Sequence, residues 1–289
     1  MNSKQRLAIC LFLGWCFSAS AATTINTVNK HAYGANIGWI NGRGDNTNGV
    51  EIGQFYCSGF TWGANVGWIN FGSGPTNGCQ YSNASQTDFG VNHLGNGLLR
   101  GMAYGANIGW INFETNGNPR VDLLTGNMSG MAYGANVGWI SLSNLFAYVQ
   151  TDSLSPGADS DNDCIPDAWE LKAVGNLTSL TIDGDFDNDG FSDYAEYVAD
   201  TDPNDVNSLL RISQYQHPGS TSIVTWASRP TRHYFIEQTD SLTNVLSWAD
   251  SGLGLQLPDP GTETARAFQD SMVDRRYIRI RPIIPLSTP

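Results

Sequence analysis

The chain has 289 residues, which is too long for one small hydrophobic core and suits two or three modules. Only 15% of the residues are charged and 32 are glycine, a composition that favours a turn-rich, mainly β fold. The net charge of -12 and the lack of a basic patch argue against nucleic-acid binding. Fourteen of the 27 acidic residues crowd into Asp159–Asp205, which predicts a bound cation there.

The N-terminus has the three parts of a secretory signal peptide. Lys4 and Arg6 supply the positive charge, and residues 7–17 form an apolar run that is too short to span a bilayer. Ala19–Ala21 provides the small residues of a cleavage site. We therefore expect residues 1–21 to be removed and the protein to be exported, with no membrane span in the mature chain. The alternative is a retained membrane anchor.

Cleavage would leave three cysteines, Cys57, Cys79 and Cys164. Export permits disulfides. Cys57 and Cys79 lie in one module and are the expected pair, although an odd count leaves any pairing open.

Residues 22–150 contain four copies of one motif, of the form YGANIGWIN. Glycine and asparagine disfavour a helix and favour turns, so each copy predicts a short β meander. One meander cannot bury a core alone, so the four must stack or close on one another as a solenoid or an irregular barrel. The copies are Tyr33–Asn41, Trp62–Asn70, Tyr104–Asn112 and Tyr133–Ser141.

Each copy carries two aromatic residues. Repeated aromatics usually form the core of the repeat, and we expect the same here. The alternative is a set of sugar-stacking platforms on the surface. Solvent exposure of the second aromatic in each copy separates the two readings; these residues are Trp39, Trp68, Trp110 and Trp139.

Residues 151–207 begin with a linker and continue into two EF-hand-like loops of twelve residues. In such loops, positions 1, 3, 5, 9 and 12 offer carboxylates, and position 7 offers a backbone carbonyl because its side chain points outward. All-oxygen cages of this kind suit Ca²⁺ better than Mg²⁺, which resists dehydration. The predicted ligands are Asp159, Asp161, Asp163, Ile165, Asp167 and Glu170 in the first loop, and Asp185, Asp187, Asp189, Phe191, Asp193 and Glu196 in the second.

Position 6 of each loop requires a sharp turn. Gly190 suits that position in the second loop, whereas Cys164 takes it in the first and predicts strain there. Short helices are expected at Pro166–Val174 and Ser192–Ala199. The segment has little apolar material, so its ordering is expected to depend on the metal.

Residues 208–289 predict a small β-sandwich. Five short runs of strand-forming residues are separated by proline, glycine and aspartate turns. Trp226, Phe235 and Tyr277 are the candidate core residues.

The two acidic stretches, DSDNDCIPDAWE and DFDNDGFSDYAEYVADTDP, resemble bacterial thrombospondin type 3 repeats over Asp159–Asp205. Cys164 departs from the glycine of that pattern. The resemblance implies calcium-dependent spacer modules in secreted or surface proteins, with ligand roles at the loop positions above. Dockerin loop–helix pairs share the ligand pattern but are usually near-duplicates with closer spacing. The GANIGWIN motif resembles GWxWxENIGWIxF-type repeats of exported bacterial proteins.

The sequence therefore predicts a non-enzymatic, calcium-binding structural or adhesive protein, secreted or at the cell surface. It contains no GxSxG, HExxH or phosphate-loop motif. One alternative is a glycan-binding module, and another is an accessory protein of carbohydrate-active enzymes with dockerin-like loops. The expected partner is an extracellular glycan or another surface protein.

Overall fold

The computed structural model describes residues 23–45, 47–114, 116–243, 247–269 and 276–287. This part of the chain is mainly β and contains two short helices, which confirms the predicted fold class. The predicted signal peptide, residues 1–21, lies outside the described residues.

The four motif copies form four β hairpins. Each hairpin pairs with the next, and β13 pairs back to β1, so eight antiparallel strands close into a barrel rather than a solenoid. The hairpins are β1/β2, β5/β6, β8/β9 and β12/β13. The strands of this module are β1 (Ile25–Gly34), β2 (Gly38–Asn41), β3 (Glu51–Ile52), β4 (Cys57–Ser58), β5 (Phe60–Gly63), β6 (Gly67–Asn70), β7 (Val91–His93), β8 (Leu99–Gly105), β9 (Gly109–Asn112), β10 (Arg120–Val121), β11 (Met128–Ser129), β12 (Met131–Gly134), β13 (Gly138–Ser141) and β14 (Val149–Thr151).

The turn of each hairpin explains why the motif has two glycines. Gly38 ends the first turn with a φ of +78°, a conformation that L side chains rarely adopt. A Cβ on Gly34 would lie only 2.7 Å from the Ile37 side chain, which is 4% exposed and belongs to the barrel core, so a larger residue would clash there.

A ring of asparagine side chains joins the four turns. Asn36 donates from Nδ2 to the Val137 carbonyl of the fourth hairpin, at 3.0 Å. The corresponding asparagines of the other hairpins donate in the same way to their neighbours, which closes the ring; these bonds run from Asn65 to Ile37, from Asn107 to Val66 and from Asn136 to Ile108. The ring accounts for the asparagine of the GAN motif.

The aromatic residues of the motif lie outside the barrel, so the prediction that they form its core is wrong. Between 38% and 47% of each side chain is exposed, and the two rings of each pair lie 4.8–5.0 Å apart. The core of the barrel takes mainly small and branched side chains instead, such as Ala103 and Ile111, together with Phe71 and Phe113. We call the outer ring the aromatic belt; its members are Tyr33, Trp39, Trp62, Trp68, Tyr104, Trp110, Tyr133 and Trp139.

Cys57, Cys79 and Cys164 form no disulfide, so the expected Cys57–Cys79 pair is also wrong. Cys57 is completely buried with the barrel core. Cys79 lies on the loop between β6 and β7. Partial burial raises the pKa of its thiol, and the nearby charge of Lys172 opposes that shift.

The acidic segment, residues 159–205, contains both helices, α1 (Asp167–Ala173) and α2 (Asp193–Ala199). The expectation that this segment lacks apolar material is wrong. It has its own core of four buried residues, and residues from both flanking modules pack against that core. The four are Ile165, Trp169, Leu180 and Tyr197, and the flanking contributors are Phe55 and Ile284.

Two three-stranded sheets follow the acidic segment, in the orders β15-β16-β19 and β18-β17-β20. We call them the C-terminal sandwich. Trp226 lies in its core as predicted, but Phe235 and Tyr277 are only half-buried. Phe235 sits under the Arg281 guanidinium instead, at 4.7 Å. The strands are β15 (Ile212–Gln216), β16 (Thr221–Ala227), β17 (His233–Thr239), β18 (Ala249–Asp250), β19 (Glu263–Gln269) and β20 (Tyr277–Ile283).

Candidate metal centre

Each acidic loop gathers three carboxylates into one cluster. Oxygen atoms of the residues at positions 1, 3 and 5 all lie within 4.8 Å of one another in both loops. Carboxylates at this separation repel unless a cation lies between them. The clusters are Asp159, Asp161 and Asp163 in the first loop, and Asp185, Asp187 and Asp189 in the second.

The backbone of both loops bends in the same way to bring these carboxylates together. Asn162 and Asn188 at position 4 are both left-handed, with φ of +63°. Position 6 is left-handed as well, with φ of +98° at Gly190 and +74° at Cys164. The strain predicted for Cys164 is thus confirmed, because only glycine adopts this conformation without cost.

The carboxylate at position 1 holds each turn from inside. Asp159 accepts hydrogen bonds from the backbone N–H groups of Asp163 and Cys164, at 3.2 and 3.0 Å. Asp185 accepts the equivalent pair at 3.0 Å each. Both loops therefore share one fold despite the cysteine in the first.

The glutamate at position 12 is the strongest sign of a cation in the first loop. Glu170 is completely buried, and neither of its carboxylate oxygens has a hydrogen-bond partner. Burial, followed by the charges of Asp163 and Asp161, raises the pKa of Glu170 to about 8 from an ordinary 4.5. A buried carboxylate with no partner is costly, so its environment requires a positive charge.

Glu196 is the equivalent residue in the second loop and is 2% exposed. The Thr201 hydroxyl donates to its Oε1 at 3.0 Å, while Oε2 has no partner. Burial raises the pKa of Glu196 to about 7, with the Thr201 hydrogen bond opposing the shift and Asp187 adding to it. Thr201 was not among the predicted ligands, because it lies outside the twelve loop positions, although it falls within the stretch that resembles the bacterial repeats.

The position 9 aspartates stand apart from the clusters and brace the loops. Asp167 accepts hydrogen bonds from both the backbone N–H and the hydroxyl of Ser160. Asp193 is buried and accepts the backbone N–H groups of Phe186 and Thr181, both at 2.9 Å. Because both carboxylates already hold protein donors, contact with an ion through water suits this position better than direct ligation.

The two position 7 residues differ in where their side chains point. Phe191 is 44% exposed, as expected for an outward-facing side chain. Ile165 is completely buried in the core of the acidic segment, which corrects the prediction for the first loop. The burial of Ile165 ties the first loop to α1.

The donor set fits a calcium ion. Besides the position 12 glutamates, one buried oxygen of each of Asp163, Asp187 and Asp189 lacks a hydrogen-bond partner. Clusters made only of oxygen donors select hard cations, and flexible multi-carboxylate cages favour Ca²⁺ over Mg²⁺.

Comparison with known proteins agrees with this assignment. The profile of the bacterial TSP3 repeat family matches residues 185–206, which include the second loop, α2 and the turn that follows. The match suggests a calcium-binding module of an extracellular protein. The matched residues begin after the first loop. Neither the curated proteins nor the solved structures gave a match.

Within the parts of the chain that the structure describes, no helix has both the length and the apolar character needed to cross a membrane.

Proposed function

We propose that this chain is an exported calcium-binding protein of the cell surface or extracellular matrix, with a structural or adhesive, non-catalytic role. The observation that carries the proposal is the buried Glu170 carboxylate, which has no hydrogen-bond partner for either oxygen and whose pKa is raised by burial and by the charges of the nearby aspartate cluster. The second loop has an equivalent aspartate cluster and one Glu196 oxygen without a partner. These features, together with the match of residues 185–206 to the bacterial TSP3 repeat, support calcium as the ion.

The residues that would hold the two ions follow from the loop geometry. In the first loop they are Asp159, Asp161, Asp163 and Glu170, and in the second Asp185, Asp187, Asp189 and Glu196. The carbonyls of Ile165 and Phe191 complete the sets by resemblance to twelve-residue calcium loops. Calcium supplies positive charge to each cluster and joins the loop to the helix that follows it.

Calorimetric titration of the full chain with calcium tests the proposal. We expect two sites with dissociation constants on the order of 10⁻⁴–10⁻³ M, as in other extracellular modules. Glu196→Gln removes a charged ligand and should weaken the second site strongly, whereas Asp161→Asn keeps an oxygen ligand and should weaken the first site less. Glu263→Gln, on the exposed face of β19, is the matched control. A titration without binding heat or with equal response to magnesium would refute the proposal.

A second candidate function is glycan binding by the aromatic belt. The observation in its favour is that all eight belt side chains are between 38% and 47% exposed and lie in four near-identical pairs. Large exposed aromatic faces are more typical of recognition surfaces than of a barrel exterior with only a structural role. Aromatic rings of this kind stack against the apolar faces of sugars.

A glycan array probed with the full chain, with calcium and with chelator, tests this second candidate. Trp68→Ala and Trp110→Ala together should abolish binding to any glycan that the wild type retains. Phe146→Ala is the matched control, because Phe146 is an exposed aromatic outside the belt. Equal loss in the control and the double variant would mean that the belt is not the binding surface.

A further inference from the structure

We infer that calcium binding at the second loop is coupled to the contact between the repeat barrel and the C-terminal sandwich, and that Arg232 and Gln54 are the positioning residues that couple them. The inference rests on the proposed function. It adds that the barrel module and the C-terminal sandwich both contact the acidic segment, which is therefore not a free spacer. The evidence lies on α2, which carries Glu196 and is seven residues long.

Arg232 of the C-terminal module binds the C-terminal end of α2. Arg232 donates from Nη2 to the Tyr197 carbonyl at 2.7 Å and from Nε to the Val198 carbonyl at 2.8 Å. These carbonyls belong to the last turn of the helix, where a cation is favoured by the helix dipole. Arg232 is only 6% exposed, so this contact is shielded from solvent.

The residue that ends α2 strengthens the same contact. Asp200 is left-handed, with φ of +57°, and lies 3.9 Å from the Arg232 guanidinium. The Thr231 hydroxyl also donates to the Asp200 carboxylate. The sandwich therefore holds both the last carbonyls of the helix and the side chain that follows them.

The repeat barrel contacts α2 through the side chain of Tyr197. The Tyr197 hydroxyl donates to Gln54 Oε1 at 3.1 Å, and Tyr197 is 4% exposed. Phe55, the next residue of the barrel, packs against the same apolar core. The Phe55 carbonyl accepts the backbone N–H of His93, which fixes this stretch to the barrel.

Glu196 is adjacent to Tyr197 on the helix, so both contacts hold the short helix that carries this expected calcium ligand. A shift of α2 would move the Glu196 carboxylate relative to the Asp185, Asp187 and Asp189 cluster. Calcium affinity should therefore depend on the module contacts, and by thermodynamic reciprocity calcium should stabilise those contacts equally. Couplings of this kind typically change affinity about 5- to 150-fold, and a tenfold change lies in the lower part of that range.

The test measures calcium affinity and module contact in the same full-length variants. Glu170→Gln serves as the common background, so that the second loop dominates the titration. In this background, Arg232→Gln removes the guanidinium hydrogen bonds to the Tyr197 and Val198 carbonyls. Tyr197→Phe removes only the hydroxyl hydrogen bond to Gln54. Arg211→Gln, on the exposed surface of the same sandwich, is the matched control.

Calcium affinity is read by calorimetry, and module contact by the distance between dyes attached to the barrel and to the sandwich. We expect Arg232→Gln to weaken calcium binding about tenfold and Tyr197→Phe to weaken it by a smaller factor, with no change in the control. In wild type, chelator should change the dye distance. In Arg232→Gln, the distance should already be changed in the presence of calcium.

The outcomes separate the inference from the proposed function. If the wild-type chain does not bind calcium, the proposed function itself is refuted. Normal calcium affinity and normal dye distance in Arg232→Gln would overturn only the coupling. If circular dichroism shows that Arg232→Gln is unfolded, Tyr197→Phe decides, and unchanged calcium affinity in that variant overturns the inference.

Discussion

Replacing Glu170 with glutamine should change stability in opposite directions with and without calcium. In the metal-free protein the Glu170 carboxyl is buried, lacks hydrogen-bond partners and has a pKa raised to about 8. At pH 7 it takes up a proton that the unfolded chain, with a pKa near 4.5, does not hold. That difference costs about 3 kcal/mol at 1.36 kcal/mol per pKa unit. Glutamine is neutral, so Glu170→Gln should recover most of this free energy in chelator.

The sign follows from the direction of the shift. A carboxyl whose folded-state pKa is raised stabilises the folded state below its unfolded pKa, and that contribution is lost as the pH rises through the folded pKa. In chelator, wild type should therefore lose stability between about pH 4.5 and pH 8. Glu170→Gln should show a flatter profile over the same window.

With calcium bound, the same substitution should destabilise the first loop. Loss of a residue that only supports a metal ligand typically costs 10- to 100-fold in affinity, so loss of a direct charged ligand should cost at least about tenfold, or about 1.4 kcal/mol. Hydrogen exchange of peptides covering residues 159–175, in saturating calcium and in chelator, measures both effects as local unfolding free energies.

Glu263→Gln is the control for this experiment, because it removes an exposed charge far along the chain from the loops. The reasoning would be refuted if Glu170→Gln destabilised the chelated protein, or changed protection by the same amount in both conditions. Either result would mean that Glu170 has a partner in the protein and does not face a cation.

Three further predictions test other parts of the structure. Cys164→Gly should stabilise the first loop by about 1 kcal/mol in thermal melts, because it relieves a left-handed backbone, whereas Cys164→Ala should not. Oxidation of tryptophan, read by mass spectrometry, should modify Trp68 before Trp226, which is completely buried; equal rates would contradict the exposed belt. His93 is buried, its Nδ1 bonds the Gly53 carbonyl, and burial lowers its pKa to about 4. Wild type should thus lose roughly 3 kcal/mol as the pH falls from 6.5 to 4, and chemical denaturation should show a flatter profile for His93→Gln.

The acidic loops were the most predictable part of the molecule, because their function fixes a residue type at each position. The twelve-residue register, the left-handed turn at Cys164 and both helices follow from the spacing of Asp, Gly and Glu. Predicted helix starts differ from the observed starts by one residue, since Pro166 and Ser192 are the N-caps. What spacing cannot show is which oxygens the protein already uses, and Asp167 is the example.

The burial of the repeat was mispredicted because tryptophan and isoleucine are both apolar and alternate along the same strands. The property that decides which side chains face inward is the volume available inside the barrel. An eight-stranded barrel has an interior just wide enough for side chains to fill. Ala103 and Ile111 fill it here, opposite each other on β8 and β9. The residues that alternate with them, Tyr104 and Trp110, then face outward.

The charge and size of the acidic segment explain why it needs contacts from both flanking modules. Two calcium ions would carry four positive charges against fourteen carboxylates in Asp159–Asp205. A core of four buried side chains is small for an ordered segment of this length, whose folding costs conformational entropy. Further apolar contact comes from Phe55 and Ile284, and further positive charge from Arg232 at the end of α2. The same residues that join the modules therefore supply what the isolated segment lacks.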